Sequence, residues 1–172
     1  MSLLGRVGLY LPQDIRFSVG EDLLCLEKWI EDPKLRYAFS MFDFHEAEHS
    51  SLILWNLYIG WRSSLTLLCD GRPAGMAVLY LNHFQGKSKQ CLFCIIVDPR
   101  CRGRGLGRRL LSSLINVARH HFKIKLLHLE VFEQNPAIRL YERMGFVRYG
   151  IENDFLRDDG VSMNKILMEK VL

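Results

Sequence analysis

Apolar residues recur along this chain with two different periods. Over 14–19 polar and apolar side chains alternate, the two-residue repeat of a strand. Over 21–31 the apolar positions become Leu23, Leu24, Leu26, Trp29 and Ile30, a helical spacing that Pro33 closes. A short helix is predicted over 35–41, and another, rich in Leu, Ile and Trp, over 46–58. A strand over 65–69, the turn signal "DGRPAG" at 70–75 and a strand over 76–84 make a hairpin. "QGKSKQ" at 85–90 is the next turn. Residues 91–97 are almost purely apolar, which predicts a strand buried on both faces.

Pro99 stops that strand. Leu106, Leu110, Leu114, Val117 and Ala118 then form the apolar stripe of a helix ending near His121. A strand over 125–132 follows, then a helix over 135–144 with Pro136 in its first turn and Gly145 at its end. Strands over 146–152 and 161–171 close the chain. The order strand, helix, strand from 91 to 132 requires a parallel pair with a right-handed crossover. The pattern predicts a mixed α/β (α+β) architecture: one sheet of seven strands flanked by helices. A length of 172 residues suits one domain.

Composition changes this picture little. Hydrophobic content of 49% and charged content of 24% are ordinary for a globular protein. No apolar run reaches the roughly 20 residues of a membrane span, and the start "MSLLGRVGLYLP" does not read as a signal peptide. Five scattered cysteines, an odd number, fit a reducing cytoplasm better than a disulfide framework. Cys91 and Cys94 have a metal-like spacing but fall on opposite faces of a predicted strand, so no metal site is expected. Charge is uneven. Residues 1–60 carry nine acids and five bases, a net −4, which leaves +8 for the remainder of a chain of net +4. An acidic front would favour a cationic partner.

The candidate chemistry lies in "VDPRCRGRGLGRRLL", residues 97–111, with five arginines, three glycines and one acid. It joins a buried strand to the start of a helix, whose first N–H groups lack internal partners and carry the positive end of the macrodipole. Glycines permit close backbone approach. Arg102, Arg104 and Arg108 add charge where the dipole is already positive, and no Ser, Thr, Asp or Asn stands at the N-cap. Together these features describe a phosphate site. The loop lacks the Lys and hydroxyl of a P-loop and the third glycine of a dinucleotide fingerprint. A basic nucleic-acid surface would carry interleaved aromatics and more charge, so nucleic acid is not the expected partner.

"RGRGLG" (102–107) after "IIVDP" resembles the R/Q-x-x-G-x-G/A motif of GNAT-superfamily acyl-CoA N-acyltransferases. "EVFEQNPAIRLYERMGF" (130–146) is similar to that family's strand, Asn-containing turn and "A-I-x-L-Y-x-x-x-G-F" helix, in the right order and at the right distance. The tail resembles the subgroup of spermidine and ribosomal-protein-type acetyltransferases. The resemblance implies a single-domain GNAT fold over 1–172, with acceptor-side elements over about 1–60 and an acetyl-CoA-binding core over about 91–146. It implies acetyl transfer from acetyl-CoA to a primary amine, without a metal. The acceptor would be a polyamine, a protein N-terminus, an aminoglycoside or an amino-acid-like molecule.

By the same resemblance, the backbone of Arg102, Gly103, Arg104, Gly105, Leu106 and Gly107 would hold the pyrophosphate, with charge from Arg102, Arg104 and Arg108. Ile95 and Val97 would hydrogen-bond the pantetheine arm, Asn135 would contact it, and Tyr141 would stand near the sulfur as the catalytic residue. Strict alignment puts Gln134 rather than Asn135 in the family's Asn slot. The strand "KQCLFCII" (89–96) lacks the glutamate that some members use as a base. An amine of pKa about 10.4 must lose a proton before attack; His45, Glu46, Glu48, His83, His128 and Glu130 are the candidates to take it. The missing glutamate leaves a catalytically silent CoA-binding module as the rival reading. The final strands would support a homodimer.

Overall fold

The computed structural model describes residues 10–31, 48–81, 89–158 and 161–172. Seven strands form one sheet in the order β1-β2-β3-β4-β5-β7-β6. They are β1 (Ile15–Phe17), β2 (Ser64–Cys69), β3 (Arg72–Tyr80), β4 (Gln90–Val97), β5 (Leu126–Phe132), β6 (Val147–Asp158) and β7 (Val161–Val171). Every pairing is antiparallel except β4 with β5, the pair that the chain order required to be parallel. The helices are α1 (Leu23–Ile30), α2 (Glu48–Gly60), α3 (Leu106–His120) and α4 (Ile138–Arg143). The expected helix over 35–41 lies outside the described residues.

The sheet is covered on both faces. On one, Leu110, Leu111, Leu114, Val117 and Ala118 of α3 are fully buried against Leu65, Leu67, Ala77, Leu79 and Leu127. The predicted stripe is therefore the face that α3 buries. On the other face Leu26, Trp29 and Ile30 of α1 and Trp55 of α2 pack on Met76, Val78, Cys94 and Ile96.

The front is fastened by polar side chains as well. Asp22, 2% exposed, accepts a bidentate pair from Arg16 at 2.7 and 2.8 Å, a bond from Thr66 at 2.7 Å and the Val19 N–H at 3.0 Å. Ser64 accepts from the Trp55 indole at 2.8 Å and pairs with Ser18 at 2.8 Å. Burial alone would raise the Asp22 carboxyl; the bonds from Arg16, Val19 and Thr66 outweigh it and hold the group below its ordinary value.

A turn, a helix boundary and a burial expectation are corrected. The turn "DGRPAG" shrinks to Asp70-Gly71, both with positive φ (52° and 75°), a two-residue hairpin turn that lets β3 begin at Arg72. The helix over 135–144 shortens to Ile138–Arg143, because the Asn135 side chain accepts from the Ala137 N–H at 2.9 Å and holds a turn ahead of it. The strand over 91–97 is not buried on both faces: Leu92, Ile95 and Val97 are half-buried. For Ile95 and Val97 the reason is the site itself.

Candidate functional site

The site begins as a defect in the sheet. β4 and β5 pair only at Gln90↔Leu126, Cys91↔Leu127 and Leu92↔His128, then part. β3 stays paired with β4 as far as Gly75↔Val97, and β7 stays with β5 as far as Phe132↔Lys165. A V-shaped gap therefore opens between two strands that are each anchored on their far side. Antiparallel pairing directs alternate residues toward and away from the partner strand. The Asp98 N–H bonds the Ala74 carbonyl at 2.9 Å, so Ile96 and Cys94 turn to β3. Beyond the Leu92↔His128 pair, the Phe93 C=O and the N–H and C=O groups of Ile95 and Val97 point into the gap.

At the mouth of the gap lies a cleft of about 710 Å³, within the range of small-molecule sites. Ile95, Ile96 and Val97 form one wall. The floor is Arg102, Gly103, Gly105, Leu106, Gly107 and Arg108, the loop and first turn of α3. Gly105 is the N-cap, with φ of 76° and no side-chain cap, so the first N–H groups of α3 are presented without internal partners. A side chain at Gly105 would meet open space but in a left-handed conformation that costs about 1–2 kcal/mol. At Gly107 a Cβ would stand 3.3 Å from Leu140, so this glycine lets α3 close up to α4.

The opposite wall is the turn and face of α4: Asn135, Pro136, Ala137, Leu140, Tyr141 and Met144, with Arg143 at the rim. Tyr141 is 7% exposed and held edge-on between Phe93 and Phe146, with centroids 6.2 and 6.1 Å away. Burial, with the Cys94 thiol nearby, pushes its phenol well above the ordinary value. It is thus a hydrogen-bond donor throughout the neutral range.

Of the expected site residues, Ile95, Val97, Arg102, Gly103, Gly105, Leu106, Gly107, Arg108, Asn135 and Tyr141 all line this one cleft. Arg104 does not; its guanidinium donates to Cys69 Sγ at 3.2 Å. Gln134 is exposed and outside the lining, whereas Asn135 is in it. The other two arginines of the loop are committed elsewhere: Arg100 pairs with Asp98 at 2.7 Å and Arg109 with Asp14 at 2.6 Å. Arg102 donates to the Val97 carbonyl at 3.2 Å. Sequence reasoning missed Arg143 and the face Ala137, Leu140, Met144. The signal was available as the helical spacing of Ala137, Leu140 and Met144.

Of the candidate bases, His128 and Glu130 are described in full, and neither lines the cleft. His45, Glu46 and His83 lie outside the described residues, and Glu48 is the first residue of α2. His128 and Glu130 share the sheet face opposite α4, as their spacing predicted, in register with Glu169 and Leu167 of β7. Glu130 pairs with Lys165 at 2.8 Å, and Lys165, 5% exposed, also meets Glu152 at 3.1 Å. Burial lowers the His128 imidazole despite the opposing pull of Glu130 and Glu169, so it is neutral near pH 7. Among the described residues no group of side chains could hold a metal ion, and no helix is long and apolar enough to cross a membrane.

The model of the Acetyltransferase (GNAT) family matches residues 26–146. A spermine/spermidine N(1)-acetyltransferase from Bacillus subtilis is 43% identical over 60 residues, 34% of this chain and 39% of that protein. The match thus spans about two fifths of that relative's length. Among solved structures, a ribosomal-protein-alanine N-acetyltransferase from Brucella melitensis superposes with a TM-score of 0.77 at 23% identity, over 92% of this chain and 99% of the other. yncA from Salmonella typhimurium, solved with its cofactor acetyl-CoA, does so with a TM-score of 0.77 at 24% identity, over 91% and 92%.

Proposed function

The chain belongs to the Acetyltransferase (GNAT) family, and from that premise we propose that it transfers an acetyl group from acetyl-CoA to a primary amine by direct attack within a ternary complex. The observation that carries the reading is the opened β4–β5 gap, leading to an uncapped helix N-terminus floored by glycines and flanked by Arg102 and Arg108. An extended arm fits beside the backbone groups of Ile95 and Val97, and a pyrophosphate fits the N–H groups of 103–107. Asn135 would meet the arm from the other wall. The thioester supplies the activated acetyl group.

In the transfer an N–C bond forms, the C–S bond breaks, and the amine's proton is balanced by one delivered to the departing sulfur. Tyr141, buried and protonated, would donate a hydrogen bond to that sulfur. Glu130 is committed to Lys165, whereas neutral His128 can accept a proton, which favours it as the base acting directly or through water. Three carboxylates, Glu130, Glu152 and Glu169, share His128's region of the sheet with the cation Lys165. Their excess of negative charge favours a cationic acceptor, a polyamine or a peptide N-terminus, in a cytoplasmic setting. The homodimer expected from the final strands would use edge strand β6, where Val147, Tyr149 and Ile151 are exposed.

The test is an amine panel with acetyl-CoA, reading released thiol. The reading expects release with cationic amines, and release lost in Gly105→Glu. Binding of acetyl-CoA without release across the panel would instead identify a silent CoA-binding module. Salt-dependent binding of DNA or RNA that acetyl-CoA fails to displace would identify a nucleic-acid binder.

A further inference from the structure

Asp98 is a buried carboxylate at the junction between β4 and the loop that floors the cleft, and its bonds run to both sides. The residue is 3% exposed. Its N–H is tied back to the sheet by the Ala74 carbonyl at 2.9 Å. Its side chain caps the single helical turn Pro99–Cys101, accepting the Arg100 N–H at Oδ1 at 2.9 Å, while its carbonyl accepts the Cys101 N–H at 2.8 Å. That turn delivers Arg102, Gly103 and Gly105 to the cleft.

One partner comes from another part of the fold. Trp29, near the end of α1, donates its indole N–H to Asp98 Oδ2 at 3.3 Å. Trp29 is 6% exposed and packs with Trp55, Met76 and Ile96 on the sheet face opposite α3. It does not line the cleft. Among the described residues, every other bond to the Asp98 carboxylate comes from Arg100, which belongs to the turn itself. Arg100 therefore travels with the turn, whereas Trp29 is fixed in the core. Bonds from Arg100, with the Trp29 N–H in support, hold the carboxyl below its ordinary value against the effect of burial, so it is ionised at neutral pH.

We propose that Trp29 is a positioning residue for the phosphate loop: through Asp98 it fastens the turn Pro99–Cys101 to the core, and so holds the N–H groups of 103–107 in the arrangement that receives a pyrophosphate. Without the indole N–H, the carboxylate keeps only the partner that moves with it. A loop that must be ordered on binding gives up part of its affinity to that ordering. The effect is reciprocal: acetyl-CoA, by ordering the loop, strengthens the link to Trp29 by the same factor. This ligand-dependent half rests on the acetyl-CoA reading; the fastening of the turn does not.

The experiment compares full-length wild type with Trp29→Phe, which removes the donor and keeps an aromatic ring in the core. In the ligand-free protein, amide exchange at Arg100 and Cys101 should quicken about 10-fold, the effect of one lost bond to a charged group, while β3 and α3 keep their rates. Unchanged rates at Arg100 and Cys101, or a rise spread over the whole chain, overturn the proposal, the second because it marks a packing residue. Calorimetric titration should show acetyl-CoA bound about 5–10-fold more weakly by Trp29→Phe, within the usual span of coupling between sites. Turnover at saturating acetyl-CoA should stay near that of wild type, so that the loss falls on KM. Unchanged affinity overturns the positioning role.

A measurement on wild type alone guards against a variant that fails to fold. The three tryptophans give three indole N–H resonances. Addition of acetyl-CoA should shift that of Trp29 and leave that of Trp55, which is bonded to Ser64 at 2.8 Å in the same cluster, in place. A Trp29 resonance that stays still while acetyl-CoA is bound overturns the coupling. No acetyl-CoA binding by wild type contradicts the function proposed above, and the ligand-free exchange rates then decide the fastening by themselves.

Discussion

The two ends of this molecule are built by different means. From 90 to 146 the cleft is made by backbone: a strand that parts from its neighbour, a glycine N-cap and a helix terminus. From 10 to 30 the front of the fold is made by side chains, as where Asp22 gathers Arg16, Thr66 and the Val19 N–H. Backbone devices need particular residues at fixed local spacing, so they leave a mark in sequence. A side-chain network that reaches from Asp22 to Thr66, 44 residues on, leaves none.

That contrast can be tested from its largest effect down. Gly105→Glu should lower acetyl-CoA affinity about 100-fold or more, because a carboxylate would then occupy an anion site at a helix N-terminus. The apoprotein should still fold, since a side chain there meets open space; calorimetric titration and thermal melting together check both halves. Leu114→Ala, in the fully buried stripe of α3, should cost about 2–5 kcal/mol of stability, read by denaturant unfolding.

Tyr141→Phe should reduce turnover about 100-fold while leaving acetyl-CoA affinity near that of the wild type, separating proton supply from binding. In steady-state assays on a cationic amine, an equal loss in both quantities would make Tyr141 a packing residue. At the front, the Asp22 carboxyl is depressed in the folded state. Its contribution is therefore complete above its ordinary value of 3.8 and lost as pH falls through the lower folded value. Melting temperature followed against pH should show this acid loss in wild type and a smaller one in Asp22→Asn. Smallest of all, Arg109→Ala should change acetyl-CoA affinity hardly at all, because its exposed pair with Asp14 is worth about 0–1 kcal/mol to the fold. Arg108→Ala should weaken binding measurably and flatten its salt dependence.

The strand and helix order was legible because apolar period separates the two, and the parallel β4–β5 pair followed from the helix between them. The cleft was legible on its floor and β4 wall, where motif and element coincide. Three things were hidden. The splay of β4 from β5 depends on pairing, which an apolar run such as "CLFCIIV" does not encode. The division of the five arginines needed partners distant in sequence: Asp14 for Arg109 and Cys69 for Arg104. The acidic face needed β5, β6 and β7 side by side, so that Glu130, Glu152 and Lys165 could meet.

We propose that the gap between β4 and β5 receives the arm of acetyl-CoA. Amide hydrogen exchange along β4, resolved by residue with and without acetyl-CoA, tests it most directly. Exchange should slow at Ile95, Val97 and the loop amides of 103–107, with little change at Ile96, whose N–H already faces β3. Equal protection along the whole strand, or none at Ile95 and Val97 while acetyl-CoA is bound, would contradict it.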